Sequence, residues 1–297
     1  MKILIHGGRI VCPATGRDEV ADIAVASGRI VAIGKGVDFT PDRVLNATGL
    51  VVAPGLVDLA ARLREPGQEH EGMLESELAA AAAGGVTSLV CPPDTDPVLD
   101  EPGLVEMLKF RARKLSRCRV FPLGALTRRL EGAALTEMAQ LTEAGCVGFS
   151  QADAAITDTL VLQRALQYAA TFGYTVWLRP NDGWLGQGVA AQGAVATRLG
   201  LSGVPVVAET VALATLFELV RVTGARVHLC RLSSAADAVP ADGSDGERSH
   251  VRDRLGHVPA ELGAVPHRDV GIGVGEVAEV EAGRERAALP AHDHHLH

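Results

Sequence analysis

The first fifty residues alternate apolar and polar positions with a period of two. Four short runs carry the pattern: KILIHGG, RIVCP, ADIAVASGRIVAIG and RVLNATGLVV. That period marks strands with one buried face. Ser27-Gly28 sits between two alternating stretches, and glycine there suits the left-handed backbone of a tight hairpin. Residues 1–52 are therefore expected to form a small β-sandwich-like domain.

From about Val51 the pattern changes to strand-then-helix units. Six apolar runs follow, VVAPGLVDL, VTSLVCP, RVFPLGAL, CVGFS, YTVWLRP and ARVHLC, with helical stretches between them. In Thr157 to Phe172 the residues Leu160, Leu166, Ala169 and Phe172 share a helical face, and Gly173 supplies a stop. Thr210 to Val222 reads as another helix. Apolar strands alternating with helices imply a parallel sheet covered on its faces. Six such units over residues 53–232 point to an α/β fold, a (β/α)8 TIM-type barrel without chain signal for its last two strands.

Residues 233–297 differ in kind. All ten aromatic residues lie between Phe39 and Phe217, and from Ser233 onward there is no Lys, Thr, Asn, Gln, Met or Cys. Seven of the ten histidines fall there, and neither period is sustained. Such a composition buries too little apolar area to offset ordering entropy. Two readings of this tail stay open: a disordered segment, or the product of a shifted reading frame. Its final HDHHLH run is expected to chelate metal only adventitiously.

Charge narrows the function classes. The 297 residues carry a net charge of −8, which argues against nucleic acid or anionic lipid as a partner. The longest uncharged stretch, Leu78 to Pro93, is broken by Gly84-Gly85 and too short to span a membrane. Five scattered cysteines without a CxxC pair suit a reducing cytoplasm. Only Lys2, Lys35, Lys109 and Lys114 are lysines, so lysine chemistry beyond position 114 is excluded.

Val51 to Gly67, VVAPGLVDLAARLREPG, resembles the first barrel strand of the cyclic amidohydrolases, and of dihydroorotases in particular. Pro54, Gly55, Asp58, Leu63, Arg64, Pro66 and Gly67 match that family's pattern, and GGVTSLVCPP and TGARVHLC extend the likeness. The resemblance implies a site in which histidines and a carboxylated lysine or acidic residue hold zinc. Here Ala60 and Arg62 stand at the paired histidine positions of the first strand. Arg179 and Arg231 stand at two further histidine positions, and the segment Phe149 to Ala152, with Gln151, offers no acidic ligand. An alanine methyl cannot coordinate, and arginine keeps its proton and has no lone pair to give. No metal cofactor is expected.

The resemblance also implies that Arg64 holds a substrate carboxylate, beside an asparagine that is Asp94 here. The alternative is a structural ion pair of Arg64 with Asp58 or Asp94. Arg62, Arg179 and Arg231 would either form an anion pocket or neutralise Asp58, Asp94 and Asp96. His228 is expected to be a core histidine and His70 a solvated one, and Trp177 and Trp184 to pack between helix and barrel. Retained stem and lost ligands together resemble non-catalytic dihydroorotase-like subunits that associate with aspartate carbamoyltransferase. A metal-dependent cyclic amidohydrolase with an altered site is the competing expectation.

Overall fold

A computed structural model describes residues 1–233. The tail beyond Ser233, with its histidine run, lies outside the described residues. Strands β1 (Lys2–Cys12), β2 (Arg17–Ala26), β3 (Arg29–Gly34), β4 (Arg43–Asn46) and β5 (Val51–Val52) form one sheet. Strands β1, β2 and β3 are antiparallel neighbours, while β4 and β5 run parallel to β1. Ser27 and Gly28 both adopt positive φ, 53° and 74°, which turns β2 tightly into β3. Ile3, Ile10, Ala21, Ile23 and Val25 form the buried side of this sheet. Among the described residues this segment contributes one layer.

The strand–helix units follow in the expected order. They are β6 (Leu56–Asp58), α1 (Leu74–Ala83), β7 (Val86–Cys91), α2 (Pro102–Leu115), β8 (Arg119–Pro122), β9 (Gly124–Ala125), α3 (Met138–Ala144), β10 (Phe149–Ser150), α4 (Thr159–Phe172) and β11 (Thr175–Leu178). An excursion, β12 (Ala190–Ala191), α5 (Ala194–Leu199) and β13 (Gly203–Val204), precedes α6 (Val207–Thr223) and β14 (Arg226–Leu229). Among the described residues, all pairings between the named strands from β6 onward are parallel.

Strands β6, β7 and β8 form one ribbon, and β9, β10, β11 and β14 another. Leu123 joins them. Its N–H donates to the carbonyl of Cys91 at 2.9 Å, and the next N–H, from Gly124, donates to Gly148 at 3.0 Å. One barrel strand thus changes partner midway, and the six strands make a continuous parallel arc. Glycine is required at position 124, since a Cβ there would lie 2.9 Å from the Phe149 ring. Among the described residues β6 and β14 each have one strand neighbour, so the arc has two open edges.

The main core lies between this arc and its helices, where Leu78, Leu89, Val105, Leu108, Met138, Leu141, Phe149, Leu166 and Val176 are buried. Side chains alternate across a strand, so the other face points into the arc. That face holds Val90, Leu123 and Trp177, backed by Leu59, Phe121 and Cys230. Trp177 therefore fills the barrel interior and does not pack between helix and barrel as the sequence suggests. Trp184 is 75% exposed, which corrects the second tryptophan as well.

Helix α4 begins where Asp158 accepts from the N–H groups of Leu160 and Val161, and stops at Gly173 with φ 71°. Its buried face is Leu162, Ala165, Leu166 and Ala169. Leu160 and Phe172, assigned inward from the period, are about half exposed. Phe172 instead stacks on Tyr174 with ring centres 5.5 Å apart. Three thiols are buried, Cys91, Cys118 and Cys146. Burial pushes those of Cys91 and Cys146 up to about 12 and that of Cys230 to about 11. No helix among the described residues is long and apolar enough to cross a membrane.

Candidate functional site

Loops at the carboxyl ends of four barrel strands meet at one carboxylate, Asp153, and a fifth joins them through Arg62. It follows β10, in the segment Ser150-Gln151-Ala152-Asp153. Arg231, just past β14, donates from Nη1 to both Asp153 oxygens at 2.7 Å. Arg62, past β6, donates from Nη2 to Asp153 at 2.8 Å and from Nε to Asp94 at 2.7 Å. Arg179, past β11, donates from Nη1 at 3.2 Å. Asp94 belongs to the loop after β7. Three guanidiniums thus meet two carboxylates, which leaves one positive charge in excess.

The network is half-open to solvent. Arg62 and Asp94 are 29% and 26% exposed, while Asp153, Arg179 and Arg231 are near 40%. Burial alone would raise the Asp153 carboxyl. The guanidiniums of Arg231, Arg62 and Arg179 outweigh that and hold it below the usual carboxylate range. Partial burial likewise opposes the charge of Arg62, and Asp94 and Asp153 more than offset it.

The sequence places Arg62, Arg179, Arg231 and Asp94 at this mouth, and the structure brings all four together. It does not bring Asp58 or Asp96. Asp58 turns back to accept from the Ala60 N–H at 2.9 Å. The Asp96 backbone packs on the Pro66-Gly67 turn, where its N–H donates to the Pro66 carbonyl at 3.2 Å. Asp153 is the residue that sequence reasoning missed. The fourth-strand segment Phe149 to Ala152 holds no acid, whereas the next side chain carries one. Ala152 has φ 50°, so the chain turns just past β10 and strand alternation does not forecast where Asp153 lies.

Gln151 itself is buried and serves as a polar tie. Its Oε1 accepts from Thr127 Oγ1 at 3.0 Å, and its Nε2 donates to the Leu130 carbonyl at 2.9 Å. Arg64 corrects a second expectation, since it pairs with neither Asp58 nor Asp94. It has φ 62°, and its Nη1 reaches Glu71 at 2.9 Å and Gln68 at 3.1 Å. The left-handed backbone turns the chain at that residue and carries its side chain to its own loop.

The neighbouring Glu65 is 2% exposed and accepts from the first N–H of α1, that of Leu74, at 2.9 Å, with Arg111 of α2 against its other oxygen. A carboxylate at a helix N-terminus satisfies orphan donors and complements the dipole. At Gly67, φ is 99°, and a Cβ would lie 2.1 Å from the Asp96 carbonyl oxygen. The Arg-Glu-Pro-Gly segment is thereby explained as loop architecture.

The donor set does not fit zinc. Ala60, Arg62, Arg179 and Arg231 offer no lone pair, and Asp153 is enclosed by cations. Among the described residues no three His, Cys, Asp or Glu side chains gather as a metal site. His228 lies inside the arc, with its ring centre 4.4 Å from that of Trp177, and burial lowers its pKa. It is a packed residue. His70 is 76% exposed.

Comparison with known proteins bears on this site. The family model described as dihydro-orotase-like matches residues 49–237. A dihydroorotase-like protein of Pseudomonas aeruginosa is 47% identical over 237 residues, covering 79% of this chain and 56% of that protein. One from Pseudomonas putida is 47% identical over 240 residues, covering 80% and 57%. The chain thus spans a little over half the length of these curated relatives. Among solved structures, an L-hydantoinase (dihydropyrimidinase) from Arthrobacter aurescens superposes with a TM-score of 0.66 at 21% identity, covering 78% of this chain and 53% of that one. That likeness supports the amidohydrolase barrel fold. With the matched segment spanning every barrel strand described above, the chain belongs to the dihydroorotase-like family.

Proposed function

We propose that this chain is a non-catalytic dihydroorotase-like protein, which supports the assembly or stability of aspartate carbamoyltransferase in cytoplasmic pyrimidine biosynthesis. One observation carries the first half. The positions that would grip zinc hold guanidiniums closed onto Asp153 at 2.7 to 3.2 Å. A divalent cation there would meet a mouth with excess positive charge and no free donor set. The second half rests on the resemblance of the retained stem and lost ligands to transferase-associated subunits. A barrel can keep an outer surface for a partner after its mouth has changed chemistry.

Two measurements on the full chain test the proposal. Elemental analysis after loading with Zn, Co or Mn and deletion of the tail histidines should find well under one metal per chain, and no ring opening of dihydroorotate. Stoichiometric metal together with turnover would restore the metal-dependent amidohydrolase reading. Co-expression with the transferase catalytic chain should yield a complex that survives gel filtration. A transferase that assembles and works equally well without this protein would overturn the partner.

A further inference from the structure

A second cleft opens beside the mouth, between α4, α6 and the loop that follows β11. Its empty space amounts to about 680 Å³, a figure that takes in open solvent. Leu162, Leu178 and Leu216 line it, each at most 7% exposed. Arg179 and the 75% exposed Trp184 also belong to its lining. The turn carrying Trp184 is fixed: Oδ1 of Asp182 accepts from the N–H of Trp184 at 3.0 Å and of Leu185 at 2.8 Å. Among the described residues nothing covers this indole, which is held in place yet 75% exposed.

Arg179 gives the cleft its chemistry. Among the described residues it is engaged only through Nη1, on Asp153. Its Nε–H and Nη2–H groups remain open, and they are the donors of a guanidinium fork suited to a carboxylate. Asp182 also lines the cleft, with its Oδ1 taken up by the N–H groups of its own turn, and Arg179 is the cationic member of the lining. An apolar floor, a flat aromatic ring and one cation together define a ligand class.

We propose that this cleft binds a small monocarboxylate with a flat apolar body, its carboxylate on Arg179 and its body over Leu178 and Leu216 beneath Trp184. This site is separate from the Arg62–Asp153–Arg231 core of the mouth and does not depend on the transferase reading. Binding requires no covalent step.

The probe is benzoate, titrated into the full chain with inorganic phosphate and benzyl alcohol as comparisons. Trp177 is buried and Trp184 exposed, so acrylamide quenching reports on Trp184. Benzoate should bind saturably below about 10 mM, reduce acrylamide quenching and shift emission to the blue. Benzyl alcohol, without the charge, should bind about tenfold or more weakly. Arg179→Gln should weaken benzoate by a similar factor. Ala212→Phe, which fills the cleft and leaves the mouth network intact, should abolish binding while circular dichroism stays unchanged. Trp184→Phe should remove the optical signal but keep the calorimetric heat. No saturable binding at about 10 mM, or equal binding by Ala212→Phe, overturns the site. Displacement of benzoate by phosphate at equal concentration also overturns it, because charge alone would then account for the affinity.

Discussion

The outer layer of the barrel and its mouth join the same strands by opposite means. Behind β10 and β11, Phe149 and Val176 are fully buried against helices. At the carboxyl ends of those strands, Asp153 and Arg179 meet as charges that remain some 40% exposed. The apolar layer gains stability in proportion to area removed from water and has little dependence on pH or salt. The mouth gains less per contact and is sensitive to both. A barrel whose stability resides mainly in the first can exchange the chemistry of the second without losing its fold.

The comparison predicts a hierarchy of effects. Phe149→Ala should be the most damaging, because a large buried ring leaves a cavity; such changes cost about 3–5 kcal/mol. Urea denaturation at pH 7 measures it, and a cost under about 1 kcal/mol would show the outer layer to be loosely packed.

Asp153→Asn should cost less, about 1–3 kcal/mol, between the values for exposed and buried ion pairs. It also carries a pH signature. The folded carboxyl is depressed, so its contribution is fully present above the unfolded value near 3.9 and fades as pH falls through the lower folded value. The gap between wild type and Asp153→Asn should therefore be constant from about pH 5 to 7 and close below about pH 4. It should narrow in molar salt, whereas the Phe149→Ala gap should not. A gap indifferent to both variables would mean that Asp153 acts through packing.

Val57→Thr should have the smallest effect, within about 0.5 kcal/mol. This residue lies on the edge strand β6 and is 40% exposed, beside Leu56 at 60%. A loss above about 1 kcal/mol that grows with protein concentration would show that the open edge is covered in solution by another copy.

The contrast between layer and mouth also explains what could be read in the sequence. Strand and helix order was legible, because burial on a sheet or helix imposes a period that the outer-layer residues carry. Facing was less so: Leu160 and Phe172 fit the α4 period yet lie outside, since the facing elements choose which stripe is buried. The strand pairs β12 and β13 are two residues long and have no period to read. Trp177 sits on a strand apolar on both sides, where alternation does not separate interior from exterior.

At the mouth, residue identities were legible and partners were not. Arg62, Arg179 and Arg231 could be placed by strand position, but a guanidinium reaches several ångströms and its partner depends on loop course. Arg64 went to Glu71 because of a single left-handed residue.

The buried thiols have a practical consequence. Burial holds these thiols far above their ordinary range, so at pH 8 they stay protonated, and the thiolate is the species that alkylating reagents attack. Cys91, on β7, and Cys146, just past α3, are both in that state and both belong to the outer core. Modification of either must await an excursion that admits water between sheet and helices. Their labelling rates consequently measure the frequency of such openings, strand by strand and without added probes. With Cys12 and Cys230 replaced by serine, mass spectrometry of alkylated peptides would read the opening of the β7 and α3 regions separately. The same chain would thus supply its own clock for how often sheet and helices part.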